Sequence, residues 1–177
     1  MNLIDKVRTL FILNILRLKG SKIGDKVKIG KNVSFLGGPF EIGDNVVFED
    51  NVRIKCMNYS RSKNTYNLKI ERDVFIGYGT IIDCNLNVRI DRNVMIGPYC
   101  FITDSNHVHH LNDSVFRLEG GVYKAVRVFE NTWIGSHTII LPGSEVQKNN
   151  VIAANSVVRT STESNGLYAG TPVKRKK

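Results

Sequence analysis

The sequence predicts an all-β fold built from repeated short strands, a β-solenoid. A six-residue frame recurs along the chain, with an aliphatic residue first, a small or acidic residue second and often Asn fourth. A period of six fits a short strand followed by a tight turn, in which Gly, Asp and Asn tolerate unusual backbone angles. Because one rung cannot bury its own apolar face, stacked rungs must share one continuous core. An Ile-Gly pair marks the frame at Ile23-Gly24, Ile29-Gly30, Ile42-Gly43, Ile76-Gly77, Ile96-Gly97 and Ile134-Gly135.

The composition fits one ordered domain with basic ends. The chain has 177 residues, of which 42% are hydrophobic and 23% charged, which argues against disorder. Its net charge of +9 comes from residues 1–28 and 174–177, so the body between them is neutral. Basic residues are not interleaved with aromatic ones, so no nucleic-acid surface is expected. Three cysteines without C-x-x-C spacing predict neither a disulfide framework nor a zinc knuckle, and favour a reducing, cytoplasmic compartment.

We divide the chain into an N-terminal amphipathic helix (1–20), a repeat body (21–173) and a basic C-terminal tail (174–177). In the first segment, residues recur at helical spacing at Leu3, Val7, Leu10, Phe11, Asn14, Ile15 and Leu18. Its uncharged stretch, 9–16, is too short to span a membrane. Two interpretations stay open: the helix packs on the domain or a partner subunit, or it lies peripherally on an anionic membrane surface.

Two segments interrupt the repeat, at 56–67 and 104–125. The second holds three of the four histidines and a Gly-Gly pair. A long excursion from a repeat scaffold is typical of a functional site. The segments that stand out chemically are Asp104-Ser-Asn-His107 followed by Val-His-His, Trp133-Ile-Gly-Ser136 followed by Pro142-Gly143, and the stretch 152–160 followed by Gly170-Thr-Pro172.

With these motifs the repeat resembles that of the hexapeptide-repeat acyltransferases, and in particular the sugar and polysaccharide O-acetyltransferases of the galactoside and maltose type. The resemblance covers roughly 21–173. It implies a left-handed parallel β-helix of triangular section, which the periodicity alone does not supply, with a short N-terminal helix and an extended loop. It also implies a homotrimer whose active sites lie between adjacent subunits.

The resemblance assigns His107 as the catalytic base. A sugar hydroxyl is a poor nucleophile until a base removes its proton, and imidazole titrates near neutral pH. A base of this kind needs a second group to orient it, for which Asp104 is the catalytic candidate. Asp83, Asn85, His109 and His110 are the expected acceptor-binding residues, and Asp83 is the other candidate for orienting the base.

The same resemblance assigns acetyl-CoA as acyl donor, with no metal required. Trp133 is expected beside the reacting centre, with Ser136 and Ala154 along the coenzyme groove. Arg159 and Thr160 are expected near the phosphates. The basic residues 174–177 either contact those phosphates or form a solvated tail, and we favour the tail.

We therefore predict acetyl transfer from acetyl-CoA to a hydroxyl of a sugar or glycan, in surface polysaccharide biosynthesis. One alternative is N-acetylation of an amino sugar or another small acceptor. Others are a zinc hydrase resembling γ-type carbonic anhydrases and a non-catalytic solenoid. The zinc hydrase needs three histidines that converge across a subunit interface, whereas His107, His109 and His110 share one loop.

Overall fold

The fold was analysed on a computed structural model that describes residues 3–57, 66–108 and 121–176. Over these ranges the chain forms one helix and six stacked coils, and each coil gives one strand to each of three sheets. The fold is a left-handed parallel β-helix, which confirms the predicted class. The predicted histidines His109 and His110 lie outside the described residues.

The helix α1 spans Leu3–Leu18, and the strands are numbered in chain order. Sheet A contains β1 Lys22–Ile23, β4 Phe40–Ile42, β7 Leu68–Ile70, β10 Val88–Ile90, β15 Val126–Val128 and β18 Glu145–Val146. Sheet B contains β2 Lys28–Ile29, β5 Val47–Phe48, β8 Phe75–Ile76, β11 Met95–Ile96, β16 Trp133–Ile134, β19 Val151–Ile152, β21 Leu167–Ala169 and β22 Lys174–Lys176. Sheet C contains β3 Ser34–Gly37, β6 Arg53–Cys56, β9 Ile81–Cys84, β12 Phe101–Thr103, β17 Ile139–Ile140 and β20 Val157–Val158. A separate antiparallel pair consists of β13 Ser105–His107 and β14 Gly121–Tyr123.

The first aliphatic residue of each rung forms the core. Neighbouring coils pair in register, so these side chains stack one above another inside the prism. In sheet B every member of the row is at most 2% exposed: Ile29, Phe48, Ile76, Ile96, Ile134 and Ile152. The six-residue period of the sequence is therefore the spacing at which one side chain turns inward on each face.

The turns explain the Asn and Gly of the repeat. Asn93, Asn131 and Asn149 have φ values of 57°, 56° and 58°, a left-handed conformation that Asn adopts more readily than most residues. Their side chains bond to one another from coil to coil at 3.1 and 3.2 Å. A Cβ on Gly135 would lie 2.5 Å from the backbone nitrogen of Ala154, so glycine lets adjacent coils approach closely.

The three outer faces differ in chemistry. Sheet A presents a row of charged residues, Lys22, Glu41, Lys69, Arg89, Arg127 and Glu145. Sheet B presents an apolar row, Val47, Phe75, Met95, Trp133, Val151 and Leu167. Sheet C continues the apolar surface with Ile81, Phe101, Ile139 and Val157. The prism therefore has one charged face and two faces that become apolar after their first strands, beyond Lys28 on sheet B and beyond Ser34 and Arg53 on sheet C.

The helix α1 closes the first coil with the face opposite to the one its apolar spacing indicated. Its buried residues are Thr9, Leu13 and Leu16. The Thr9 hydroxyl and the Arg8 guanidinium donate to the Ile29 carbonyl at 3.3 and 3.2 Å. Of the residues at helical spacing, Ile15 is half-buried and the others are exposed, so this stripe does not pack on the described part of the domain: Leu3, Val7, Leu10, Phe11, Asn14 and Leu18. No helix in the described part of the chain is long and apolar enough to cross a membrane.

Residues 174–176 form a strand, and the expectation of a free solvated tail is wrong for them. The chain turns back after Gly170, and β22 pairs antiparallel with β21. Arg175 forms an ion pair with Glu163 at 2.7 Å and donates to the Asn165 carbonyl at 3.2 Å. The strand supplies hydrogen-bond partners to β21, which would otherwise be the last, unpaired edge of sheet B.

Candidate active site

A cavity of about 540 Å³ opens where the chain leaves sheet C for its long excursion. The side of sheet C and the pair β13–β14 form its walls. It brings together three of the predicted site residues, Asp83, Asn85 and His107. Its remaining lining residues are Lys55, Phe101, Thr103, Ser105, Asn106, Gly121, Tyr123, Leu141 and Pro142.

Polar side chains form a bonded network on one wall of this cavity. The Asn85 amide donates to the Ser105 hydroxyl at 2.8 Å and to the Asp83 carboxylate at 3.2 Å. The Lys55 ammonium lies 3.3 Å from the other Asp83 oxygen. The Thr103 and Ser105 hydroxyls are 3.2 Å apart. This wall therefore offers a carboxylate, an amide, an ammonium and two hydroxyls to a ligand with several hydroxyl groups.

Asp104 is fully buried, and its carboxylate bonds to the backbone. One oxygen accepts the N–H of Asn85 at 2.8 Å, and the other accepts the N–H groups of Leu86 and Asn87, both at 2.7 Å. In the described part of the chain it makes no hydrogen bond with His107. The expectation that Asp104 orients the base is therefore not met in this conformation, because three N–H donors already occupy its oxygens.

His107 lies at the end of β13 with an exposed side chain. Its backbone N–H donates to the Asn106 side-chain oxygen at 2.9 Å, and β13 is held by pairing with β14, where His107 faces Gly121. Within the described residues the imidazole has no hydrogen-bond partner. The side chain lines the cavity together with Asp83 and Asn85.

A second cavity of about 410 Å³ shares Asn106, His107, Leu141 and Pro142 with the first. Its other lining residues are Val108, Val122, Lys124 and Arg159, so it contains two cations and no carboxylate. Arg159 thus lines the same cavity as His107, while Thr160 does not line either cavity, and their predicted contact with the phosphates of the donor stays a prediction. A ligand that occupied both cavities would contact His107 at their junction, with the polar wall of the first cavity on one side and the cations of the second on the other.

The predicted coenzyme residues Ser136 and Ala154 lie together at the corner between sheets B and C. The Ser136 carbonyl accepts the N–H of Asn155 at 2.9 Å, and Ala154 follows on the next coil. Trp133 is on the outer face of sheet B and is 49% exposed. None of the three lines the cavities that contain His107. A single chain therefore separates Trp133, Ser136 and Ala154 from His107, whereas Arg159 shares a cavity with it.

Four of the cavity residues were not predicted from the sequence: Lys55, Thr103, Ser105 and Tyr123. A signal for the first was present, because Ile-Lys-Cys at 54–56 and Ile-Asp-Cys at 82–84 occupy the same places of successive coils. The other three lie where the chain leaves sheet C and returns to it, so predicting them required knowing how β13 and β14 pair.

Behind this wall, a hydrogen bond with Cys56 and burial raise the pKa of the Cys84 thiol, which donates to the Asn67 carbonyl at 3.2 Å.

Comparison with known proteins agrees with the repeat architecture. Residues 125–160 match the family described as bacterial transferase hexapeptide (six repeats). A Staphylococcus aureus (strain Mu50) protein provisionally named an acetyltransferase is 30% identical over 153 residues, covering 76% of this chain and 74% of that protein. The chain belongs to the hexapeptide-repeat acetyltransferase superfamily.

The alignment with other relatives spans a smaller share of each relative's length. The galactoside O-acetyltransferase of Escherichia coli (strain K12) is 33% identical over 108 residues, which are 60% of this chain and 51% of that protein. The chain spans about half the length of the first curated relatives that it matches.

Solved structures share the fold. A mutant of AntD, an N-acyltransferase from Bacillus cereus in complex with dTDP and coenzyme A, has a TM-score of 0.77 at 20% identity, covering 93% of this chain and 87% of that one. PerB from Caulobacter crescentus, in complex with CoA and GDP-perosamine, has a TM-score of 0.60 at 18% identity, covering 98% and 66%.

Proposed function

We propose that the protein transfers an acetyl group from acetyl-CoA to a hydroxyl group of a sugar or glycan. The observation that carries this proposal is that His107, whose imidazole has no hydrogen-bond partner among the described residues, lines the same cavity as Asp83 and Asn85. The match to a galactoside O-acetyltransferase supports the choice of a hydroxyl acceptor. A role in the synthesis of a surface polysaccharide is part of the same proposal.

His107 supplies the proton transfer of the proposed reaction. Its imidazole accepts the proton of the acceptor hydroxyl while the hydroxyl oxygen forms a bond to the thioester carbonyl carbon. The tetrahedral intermediate then loses the thiolate of CoA, to which His107 returns the proton. The products are an acetyl ester and free CoA, and no residue of the chain is acylated. Such a base contributes about 10²–10⁴ in rate.

The polar wall orients the acceptor sugar. Asp83 accepts hydrogen bonds from sugar hydroxyls, while Asn85 and Ser105 are able both to donate and to accept them. Lys55 holds the Asp83 carboxylate in place at 3.3 Å. Because these groups already bond to one another, the wall is preorganised, and binding a sugar orders few additional side chains.

The donor is proposed to lie along the corner between sheets B and C, beside Ser136 and Ala154. Adjacent coils stack closely there, since a Cβ on Gly135 would lie 2.5 Å from the Ala154 backbone nitrogen. The small residues of this corner leave room for the extended chain of the donor. Trp133 is exposed nearby on sheet B. Arg159, with Thr160 next to it, is proposed to contact the phosphates of the donor as a positive charge.

A homotrimer brings the two halves of this site together. The apolar faces of sheets B and C meet at one corner of the prism, and sheet A is charged. Packing sheet B of one subunit against sheet C of its neighbour is a heterologous contact, and a threefold axis closes it into a ring. The donor residues of one subunit then face the His107 cavity of the next. We place this reaction in the cytoplasm, in accordance with the three free, buried cysteines among the described residues.

A test of this function measures transfer of labelled acetyl groups from acetyl-CoA to a panel of sugars, glycans and amino sugars. An alkali-labile ester on a hydroxyl acceptor supports the proposal. An alkali-stable amide on an amino sugar, with no ester product, overturns it in favour of N-acetylation. Failure to bind CoA in a calorimetric titration would identify a non-catalytic solenoid, and stoichiometric zinc with hydrase activity would identify the zinc enzyme.

A further inference from the structure

We propose that the outer face of helix α1 docks the protein on an anionic lipid surface. We define the outer face as Leu3, Ile4, Val7, Leu10, Phe11 and Leu18. Each of these side chains is between 58% and 88% exposed. The inference goes beyond the acetyl transfer proposed above and does not depend on it.

The outer face is continuous and points away from the body of the protein. At 100° per residue, its six side chains fall within an arc of roughly 120° opposite the buried residues Thr9 and Leu13. The buried side of the helix bonds to the first coil, where Thr9 and Arg8 donate to the Ile29 carbonyl at 3.3 and 3.2 Å. The helix therefore lies over the end of the solenoid and presents its apolar arc outward.

Basic residues flank this arc on both sides. On the helical wheel, Lys6 and Arg17 border one edge, and Lys19, just after the helix, borders the other, whereas Arg8 faces the first coil. The acidic residue of the helix, Asp5, lies on the opposite side and pairs with Arg8 at 3.2 Å. Residues 3–31 contain eight Lys or Arg and two Asp. Bulky apolar side chains between basic flanks are the pattern of helices that insert into the boundary between headgroups and acyl chains of anionic lipid.

The charge also argues against a second copy of the chain as the occupant. If two helices met through their outer faces, a twofold contact would bring the basic flanks of both together. Such a contact would place like charges side by side, which disfavours association. An anionic lipid surface instead pairs each flank with opposite charge.

The experiment is co-sedimentation of the full chain with vesicles of phosphatidylcholine, alone or mixed with phosphatidylglycerol. We expect binding to the mixed vesicles that weakens as salt is raised. Leu10→Ser should lower the partition coefficient about tenfold, because a Leu side chain leaves the hydrocarbon boundary. Leu36→Ser is the matched control, since Leu36 is also 58% exposed but lies on β3. Asn14→Leu should raise the coefficient several-fold by filling the polar gap in the arc.

The proposal is overturned if the wild-type chain binds neither kind of vesicle, or if Leu36→Ser loses as much binding as Leu10→Ser. Self-association that Leu10→Ser abolishes, without vesicle binding, would identify a second copy as the occupant. Acetyl transfer to a soluble acceptor should be unchanged in Leu10→Ser. A loss of docking is therefore distinguishable from a failure of the proposed function.

Discussion

The buried carboxylate of Asp104 fixes the backbone of Asn85, whose N–H it accepts at 2.8 Å. Its second oxygen accepts two further N–H groups from Leu86 and Asn87 at 2.7 Å. Asn85 is the residue whose side chain joins Ser105 to Asp83 on the cavity wall. Asp104 therefore acts on the site through Asn85, as a positioning residue.

Replacing Asp104 should destabilise the protein and weaken acceptor binding. Asp104→Ala leaves three backbone N–H groups without an acceptor, which should lower the free energy of unfolding by roughly 3 kcal/mol. Urea unfolding measures this loss. Asp44→Asn is the control, because Asp44 accepts one N–H, from Asp25 at 2.7 Å, at an exposed site, and should change the free energy by less than about 1 kcal/mol.

A second variant of this residue, Asp104→Asn, separates positioning from proton transfer. In Asp104→Asn the KM for the acceptor should rise more than kcat falls, because the Asn85 wall moves while His107 remains. A fall in kcat as large as that of a His107 variant, with KM unchanged, would instead show that Asp104 orients the base.

His107→Ala should lower turnover by a factor of about 100 or more while leaving the fold intact, because the variant lacks the base. Turnover with labelled acetyl-CoA measures the effect, and circular dichroism checks the fold. Added imidazole should restore part of the activity, since a small base fits the space that the side chain leaves. Turnover close to that of the wild type in the purified variant would contradict the assignment.

The repeat specified most of the fold, because in a solenoid each residue's place in the frame determines whether it faces inward, turns the chain or faces outward. Ile76 and Ile96 are thus predictable as core, and Asn93 as a turn. The site was less predictable. Asp83 and Lys55 face each other because β6 and β9 pair in register, although 28 residues separate the two in the sequence.

The helix shows why a periodic pattern does not identify its own environment. Leu3, Val7 and Phe11 recur as a packing face would, yet the face that the first coil covers contains Thr9. The Thr9 hydroxyl donates to the Ile29 carbonyl of the first coil, and Leu13 and Leu16 are buried on the same side of the helix. The spacing of apolar residues alone therefore does not show which side of the helix packs on the domain.

The Arg127–Asp91 pair should contribute to stability on the charged face. Asp91 has a side chain only 7% exposed, and Arg127 reaches it with two nitrogens, at 3.1 and 2.8 Å. A hydrogen bond to this carboxylate raises the pKa of Arg127. Arg127→Met leaves Asp91 buried without its partner and should cost roughly 2 kcal/mol, a value lowered from that of a fully buried pair because Arg127 is partly exposed.

Two further variants test the geometry of this pair. Arg127→Lys should lose part of the same free energy, since an ammonium cannot reproduce the two-pronged contact. Arg89→Met, an exposed position next to Arg127 in the same row, should be nearly neutral. Equal losses for Arg127→Met and Arg89→Met in thermal unfolding would contradict a specific role for the pair.

The buried thiol of Cys100 should make stability fall at alkaline pH. Burial raises the pKa of Cys100 from 9.0 to about 11. Above pH 9 the unfolded thiol loses its proton while the folded one keeps it, so the unfolded state binds fewer protons and is favoured. The contribution of Cys100 is complete below pH 9 and is lost as pH rises toward 11.

Two measurements follow from the protonated thiol. Cys100→Ser should flatten the alkaline decline of the unfolding free energy, apart from a general loss of stability that does not depend on pH. Thiol reagents should modify the native protein slowly at pH 8 and the unfolded protein quickly. Rapid modification of the native chain would show that the thiols are not protected as the structure indicates.

Met95→Glu should disrupt the proposed trimer. Met95 is 45% exposed in the apolar row of sheet B, so the threefold contact would bury three new carboxylates against apolar residues of sheet C. Light scattering coupled to gel filtration should show monomers. Arg89→Glu changes charge on sheet A, which faces outward in the proposed ring, and should stay trimeric.

Because the donor and acceptor residues of one site come from different subunits, the Met95→Glu monomer should also lose acetyl transfer. A fully active monomer would refute a site between subunits, and a trimer that survives Met95→Glu would refute packing through sheet B.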